Sequence, residues 1–274
     1  MKRILVPVDF SEFSVEALKV AAQIARKNNY EIVVLHLLEL PHHGGDGFGH
    51  GNTIPEIIFF KNKAIERLEE LLDAEFLDGI EVFESIEFKK VDQGVIDVSI
   101  KNDIDLIVMG SHGTSGFNEM IVGSNTEKIV RSSKIPVLVI KKGMKEFEPT
   151  NFVFASDFSN ESQKPFRKML EYAKIFNSKL FLVTICTPAS FKATATTEKN
   201  MADFVANFDL DNYSTHIYND SNIEKGIINF SNSVQADLIG ICTHGRTGLA
   251  HFYSGSIGED LVNHAMKPVI TFKI

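Results

Sequence analysis

Gly110-Ser111-His112-Gly113, followed after nine residues by Gly123-Ser124, is a spacing that can hold an oxyanion. Glycines at 110, 113 and 123 open backbone torsions closed to other residues and let main-chain N–H groups approach phosphate oxygens with no Cβ in the way. Residues 124–131 carry a helical pattern beginning at Ser124, and the first amides and dipole of such a helix favour a negative group at its N-terminus. Ser124 either caps that helix or gives its hydroxyl to the ligand. Taken alone, three glycines and a serine read more readily as tight turns and a plain N-cap, so context has to decide. His112 and His244 share one position in the repeat described below. Acid–base chemistry there lacks a neighbouring nucleophile or carboxylate in sequence, and satisfaction of local backbone groups is the preferred reading. His42, His43 and His50 stand in a glycine-rich loop with Asp46 and are weak candidates for zinc or copper. Their spacing is not that of a four-ligand site, so a polar loop without metal is expected.

The elements around these residues supply the context. Residues 105–109 read as a buried parallel strand that ends on Gly110. Before it, apolar strands at 3–8, 31–38 and 85–91 alternate with helical patterns at 14–27, 55–76 and 95–102, and a last strand covers 135–140. Ile57, Phe60, Ala64, Leu68 and Leu71 form a stripe at helical spacing, expected to be core. Strands alternating with helices imply a doubly wound α/β unit, a five-stranded parallel sheet with helices on both faces. Ligands bind such sheets beyond the carboxyl ends of the strands. Asp9, His36 with Leu37, and Gly110 all fall at such ends.

The chain states this organisation twice. Pro7-Val8-Asp9-Phe10-Ser11 returns as Ala155-Ser156-Asp157-Phe158-Ser159, and His112-Gly113 returns as His244-Gly245. Gly123-Ser124 returns as Gly255-Ser256 after the same gap, and Pro136-Val137 as Pro268-Val269. The offset is 148 residues at the first motif (157 − 9) and 132 at the glycine loop (245 − 113), so the second copy has lost 16 in between (148 − 132). Two tandem domains of this architecture are expected, at residues 1–143 and 150–274, joined by a linker around 141–150. The second glycine motif is degraded. Cys242 stands where Gly110 stands in the first copy, bringing a Cβ and a sulfur, and the deletion falls where the first copy has its histidine-rich loop.

Composition narrows the classes. The chain of 274 residues has 44% hydrophobic and 23% charged residues, as a globular protein does. A net charge of −8 without a cluster of Lys and Arg argues against nucleic acid as a partner. No apolar run approaches the roughly 20 residues that span a bilayer, and Asp9 interrupts the apolar start too early for a signal peptide. With only two cysteines, Cys186 and Cys242, free thiols and a cytoplasmic location are expected.

With these motifs in hand, the chain resembles a tandem universal stress protein, two UspA-type domains in one polypeptide. Gly110, Gly113, Gly123 and Ser124 match the Gly-x2-Gly-x9-Gly-Ser/Thr pattern of the family's ATP-binding branch, and Glu127-Lys128 and the strand after Pro136 follow as in that branch. The resemblance implies that the loop glycines and Ser124 hold phosphates and ribose, that Asp9 lies by the nucleoside, and that the backbone at Leu37 meets the adenine. Pro7, His112 and Asn125 flank these positions and are counted with the site. Asp157, Gly245, Gly255 and Ser256 make a second, weaker site. It further implies an adenine nucleotide (ATP, ADP or AMP), with magnesium as an option, a regulatory role in stress response, and pairing of the two domains through their last strands. A homodimer of tandem chains stays open. A slow ATPase or nucleotidyl-transfer enzyme and a nucleotide-free interaction scaffold are the alternatives. The enzyme reading lacks a Gly-x4-Gly-Lys-Ser/Thr loop and an acidic pair for two metals.

Overall fold

The computed structural model describes residues 2–39, 54–112, 123–141, 143, 144, 146–243 and 256–274, with 54–56 and 256 as backbone only. The first half runs β1 (Arg3–Val8), α1 (Glu12–Asn28), β2 (Glu31–Leu37), α2 (Ile54–Leu72), β3 (Val82–Glu87), α3 (Val91–Lys101), β4 (Leu106–Gly110), α4 (Ser124–Ser132) and β5 (Val137–Ile140). The second repeats it as β6 (Asn151–Ala155), α5 (Gln163–Phe176), β7 (Lys179–Cys186), α6 (Thr194–Val205), β8 (Tyr213–Asn219), α7 (Ile223–Ser233), β9 (Leu238–Thr243), α8 (Ser256–His264) and β10 (Val269–Lys273). The α/β class and the five parallel strands in each half are as the pattern predicts. Boundaries shift where a strand is amphipathic: β3 lies at 82–87 where a strand at 85–91 is expected, and α3 begins at Val91.

The strands form one sheet in the order β3-β2-β1-β4-β5-β10-β9-β6-β7-β8. Within each half all pairs are parallel, whereas β5 and β10 pair antiparallel, with Leu138 opposite Ile270. Strand residues alternate between two cores. Ile4, Val6 and Val8 face α1 and α2, and in the other half Phe152 and Phe154 face α5 and α6. Leu5, Val33 and Ile107 face α3 and α4, and Val153 and Ile239 face α7 and α8. Burial on both faces explains why the central strands are continuously apolar.

The repeat extends to backbone strain. Positive φ outside glycine occurs at Phe10 and Phe158, Asn29 and Asn177, and Asp103 and Gln235. These pairs are separated by 148, 148 and 132 residues, the offsets found in the sequence. Asn29 and Asn177 are the left-handed C-caps of α1 and α5, a place where asparagine tolerates positive φ.

Two expectations change. The helix α2 has 19 residues and its counterpart α6 has 12, and the connection leading into α6 is also shorter, which is where the lost residues went. The stripe on α2 is core only in its later turns: Ala64 and Leu68 are buried, whereas Phe60 is 53% exposed and stands beside exposed Ile58 and Phe59. Nineteen helical residues span about 28 Å, and the six of β3 about 20 Å, so the first turns of α2 rise past the carboxyl edge of the sheet.

Candidate functional site

The candidate residues lie where the strand order reverses, between β1 and β4, the place at which open α/β sheets part. The β1–β4 ladder holds Ile4↔Leu106 and Leu5↔Ile107 and goes no further. In the second half the matching ladder continues to Ala155↔Ile241. Pro7 supplies the reason, because a proline has no N–H to give to a central ladder, and its counterpart is Ala155. The two strands thus stop pairing before the carboxyl end of β1 in the first half.

Asp9 follows at that end. Its Oδ1 accepts the Ser11 N–H at 3.0 Å and the Ser11 hydroxyl at 2.6 Å, while Ser11 Oγ accepts the Ser14 N–H as the N-cap of α1. The turn therefore fixes the carboxylate against the start of a helix. Phe10 takes the left-handed backbone (φ 63°), and its ring tilts against His36 at 4.6 Å with the Arg67 guanidinium 4.2 Å from its centroid. His36 Nδ1 donates to the Val8 carbonyl at 2.8 Å. The β1–β2 ladder ends at Val8↔His36, one residue before Leu37. The Leu37 side chain turns into α3, so close to Gly94 that a Cβ there would meet it at 2.3 Å.

The stems of the glycine loop are tied together. The Gly123 N–H donates to the Ser111 carbonyl at 2.9 Å, and the buried Thr126 hydroxyl donates to the Gly110 carbonyl at 3.1 Å. These bonds hold the N-terminus of α4 against the end of β4. Gly123, not Ser124, occupies the N-cap position, and among the described residues no side chain caps the helix. Ser124 is the first helical residue, and it and Asn125 are exposed. His112 is buried, its ring tilted against Phe13 at 4.8 Å and its Nδ1 2.9 Å from Ser111 Oγ. Gly110 has a requirement beyond a ligand: a Cβ there would lie 2.6 Å from the Phe13 carbonyl oxygen, so glycine is what lets the first turn of α1 approach β4. Gly113 lies outside the described residues.

In the second half, Asp157 Oδ1 accepts the Ser159 N–H and the Ser162 hydroxyl, both at 3.1 Å. Cys242 is accommodated by a change in the helix start. Residues Asn160–Ser162 form a 3-10 turn ahead of α5, whereas α1 begins directly at Glu12. Burial and the Asp157 carboxylate push the pKa of the Cys242 thiol up to about 12, which keeps it protonated. A cavity of about 380 Å³ opens at the ends of β6 and β7, lined by Asp157, Thr184, Cys186, Ser190, Lys192 and Asn200 among others. Its outer wall comes from the short connection before α6, so the deletion does not leave this side open. Gly245, Gly255, His244 and the Ser256 side chain lie outside the described residues, as do His42, His43 and His50. Among the described residues no group of three or more His, Cys, Asp or Glu could hold a metal, and no helix is long and apolar enough to cross a membrane.

Sequence reading missed Thr126, the Phe10–His36–Arg67 stack and the effect of Pro7. Proline inside a central strand is a signal for the last of these. The stack carries no local signal, since Arg67 comes from a different element.

The model of the universal stress protein family matches residues 1–141 and 149–273. A universal stress protein of Methanocaldococcus jannaschii is 29% identical over 154 residues, covering 53% of this chain and 85% of its own. One from Synechocystis sp. is 24% identical over 295 residues and covers the whole of both chains. Among solved structures, a universal stress protein from Archaeoglobus fulgidus shares the fold with a TM-score of 0.74 at 23% identity, over 99% of this chain and 96% of that one.

Proposed function

Because the chain belongs to the universal stress protein family, we propose that it binds an adenine nucleotide at the carboxyl ends of β1, β2 and β4 and acts as a regulatory protein of the cytoplasm, not as a catalyst. The observation that carries this reading is the tied pair of stems: the Gly123–Ser111 and Thr126–Gly110 bonds hold the N-terminus of α4, uncapped by any side chain among the described residues, at the carboxyl end of β4 beside the β1–β4 switch point. Unsatisfied amides at that helix end favour phosphate oxygens. In this reading Gly110, Gly113, Gly123, Ser124 and Asn125 surround the phosphates and ribose, His112 supports the loop from below, Asp9 meets the nucleoside and the Leu37 backbone meets the base. Magnesium would accompany the phosphates. The domains are taken as 1–143 and 150–274.

The cavity beside Asp157 favours a second, weaker site in the other half, completed by Gly245, Gly255 and Ser256. Mass spectrometry of small molecules released on denaturing the purified chain tests the main reading. Near-stoichiometric adenine nucleotide from wild type and none from Gly113→Val is expected. If neither releases nucleotide and added ATP at millimolar concentration leaves the melting temperature unchanged, the reading fails. A ligand that binds only the folded form adds about 2.7 kcal/mol at 100 times its Kd, so the melting shift is readily seen.

A further inference from the structure

The two ends of the sheet are β3 and β8, equivalent strands of the two halves, and they are built differently. Glu84 stands opposite Val34 and Glu87 opposite Leu37; at the same places in the other half Thr215 stands opposite Leu182 and Tyr218 opposite Ile185 (34 + 148 = 182, 37 + 148 = 185). Glu81, whose carbonyl accepts the Ile32 N–H, corresponds in the same way to Asn212, which accepts from Leu180. Charge on an edge discourages another strand from pairing with it, and β3 has these glutamates. All are lost at β8, whose seven residues Tyr213–Asn219 include no carboxylate, lysine, arginine or proline. The backbone of β8 is also open on its outer side. The Leu180 N–H donates to the Asn212 carbonyl and the Asp220 N–H to the Cys186 carbonyl, so the parallel ladder uses the even-numbered groups, and Tyr213, Thr215, Ile217 and Asn219 turn their N–H and C=O groups away from β7. Between this edge strand and α6 lies a groove of about 690 Å³. Buried Met201 and Val205 and half-buried Ile217 meet exposed Tyr213, Thr215 and Glu198 in its lining. Among the described residues Glu198 is the one acidic group of that lining, and no lysine or arginine shares it.

We infer that β8 is a docking edge for an extended peptide of another protein, which adds one more strand to the sheet and brings a basic side chain to Glu198. A strand laid against Tyr213–Asn219 bonds to the outward N–H and C=O groups, and every second side chain of it falls on the α6 side, where the groove lies. A small molecule in the groove would leave the edge without a partner, whereas a peptide answers both. Charge sets the class of peptide: among the described residues neither Glu198 nor exposed Asp211, just before β8, has an ion-pair partner. Charge also sets a second copy of this chain aside. An antiparallel β8–β8 pair with Thr215 opposite Ile217 would bring Asp211 of each chain beside Asp220 of the other, and Lys225 offsets only the latter.

The probe is a fluorescein-labelled peptide of alternating sequence, Lys-Thr-Val-Thr-Lys-Thr-Val-Thr, titrated with the full chain and read by polarisation, with glutamate in place of its lysines as the control. Saturable binding of the basic peptide is expected, with the acidic one weaker by about tenfold and the preference reversed in Glu198→Lys. Thr215→Pro removes an N–H that β7 does not use, and Thr215→Glu restores the residue β3 carries there; each is expected to weaken binding about tenfold. Thr215 is exposed, so both variants keep the fold, which far-UV circular dichroism checks. At saturating peptide the amides of Thr215 and Ile217 exchange more slowly, while those of Val82 and Glu84 on β3 keep their rates. Absence of binding at millimolar peptide, or equal binding by wild type and Thr215→Glu, overturns the assignment. A doubled mass in light scattering that Thr215→Glu abolishes overturns it in favour of a second copy.

Discussion

Gly110 shows how the packing of two elements can require a glycine. In the first half a glycine lets the backbone of α1 touch the end of β4; in the second, Cys242 occupies that place and the start of α5 gives way to a 3-10 turn. Gly110→Ala keeps the first turn of α1 and the carboxyl end of β4 from closing as they do, and we expect a loss of about 1–3 kcal/mol in urea unfolding. An unchanged midpoint would show that α1 shifts without cost. Thr126 acts at the same scale from the other stem. Thr126→Val keeps the shape but leaves the Gly110 carbonyl without its donor, and a cost of about 1 kcal/mol is expected, with weaker nucleotide binding by titration calorimetry. Equal affinity in the variant would mean that the loop stems do not set the phosphate cradle.

At the level of elements, α2 is two helices in function. Its later turns carry Leu68, fully buried against the sheet, and its first turns carry exposed Phe60. Leu68→Ala is expected to cost about 2–5 kcal/mol, and Phe60→Ala less than about 0.5 kcal/mol, although both sit on one helical stripe in the sequence. Thermal melts of the two variants check this, and a comparable loss in both would place Phe60 in a core. The helix α4 is short, but its position is determined at both ends: two hydrogen bonds at the loop stems, and at its C-terminus the Lys273 ammonium from the other half.

At the scale of the whole molecule, the antiparallel β5–β10 pair turns two parallel sheets into one and places the halves about a pseudo-two-fold axis near Leu138 and Ile270. Glu127 with Asn263 and Glu259 with Arg131 are the same pair of positions seen from the two sides (127 + 132 = 259, 131 + 132 = 263). Both last-strand edges are thus used within one chain, and light scattering is expected to give a single chain of 30.6 kDa; twice that mass would mean that β3 or β8, the remaining edges, associates. The junction also carries a pH dependence. Burial lowers the Lys141 pKa from 10.5 to about 8, so the unfolded chain holds that proton more tightly and the folded chain pays fully below pH 8. As pH rises from 8 through 10.5 the penalty fades, and wild type should gain up to about 3 kcal/mol relative to Lys141→Met. Urea unfolding of both proteins at pH 7 and pH 10 measures the difference, and parallel changes in the two would show that Lys141 stays solvated.

By itself the sequence determined the alternation of strands and helices, the two copies and the places where Asp9, Leu37 and the glycine loop sit, because periodicity, proline and glycine act over a few residues and repeat by position. The paired offsets even foretold which residues share a left-handed backbone, once Phe10 and Asn29 are known. Only the tertiary structure decided that Gly110 answers to Phe13, that Thr126 and not Ser124 ties the loop, that Phe60 faces outward, and that Lys141 caps a helix of the other half. Each of those depends on the distance between elements far apart along the chain, a quantity set by packing and by the relative lengths of strand and helix, which no local pattern encodes.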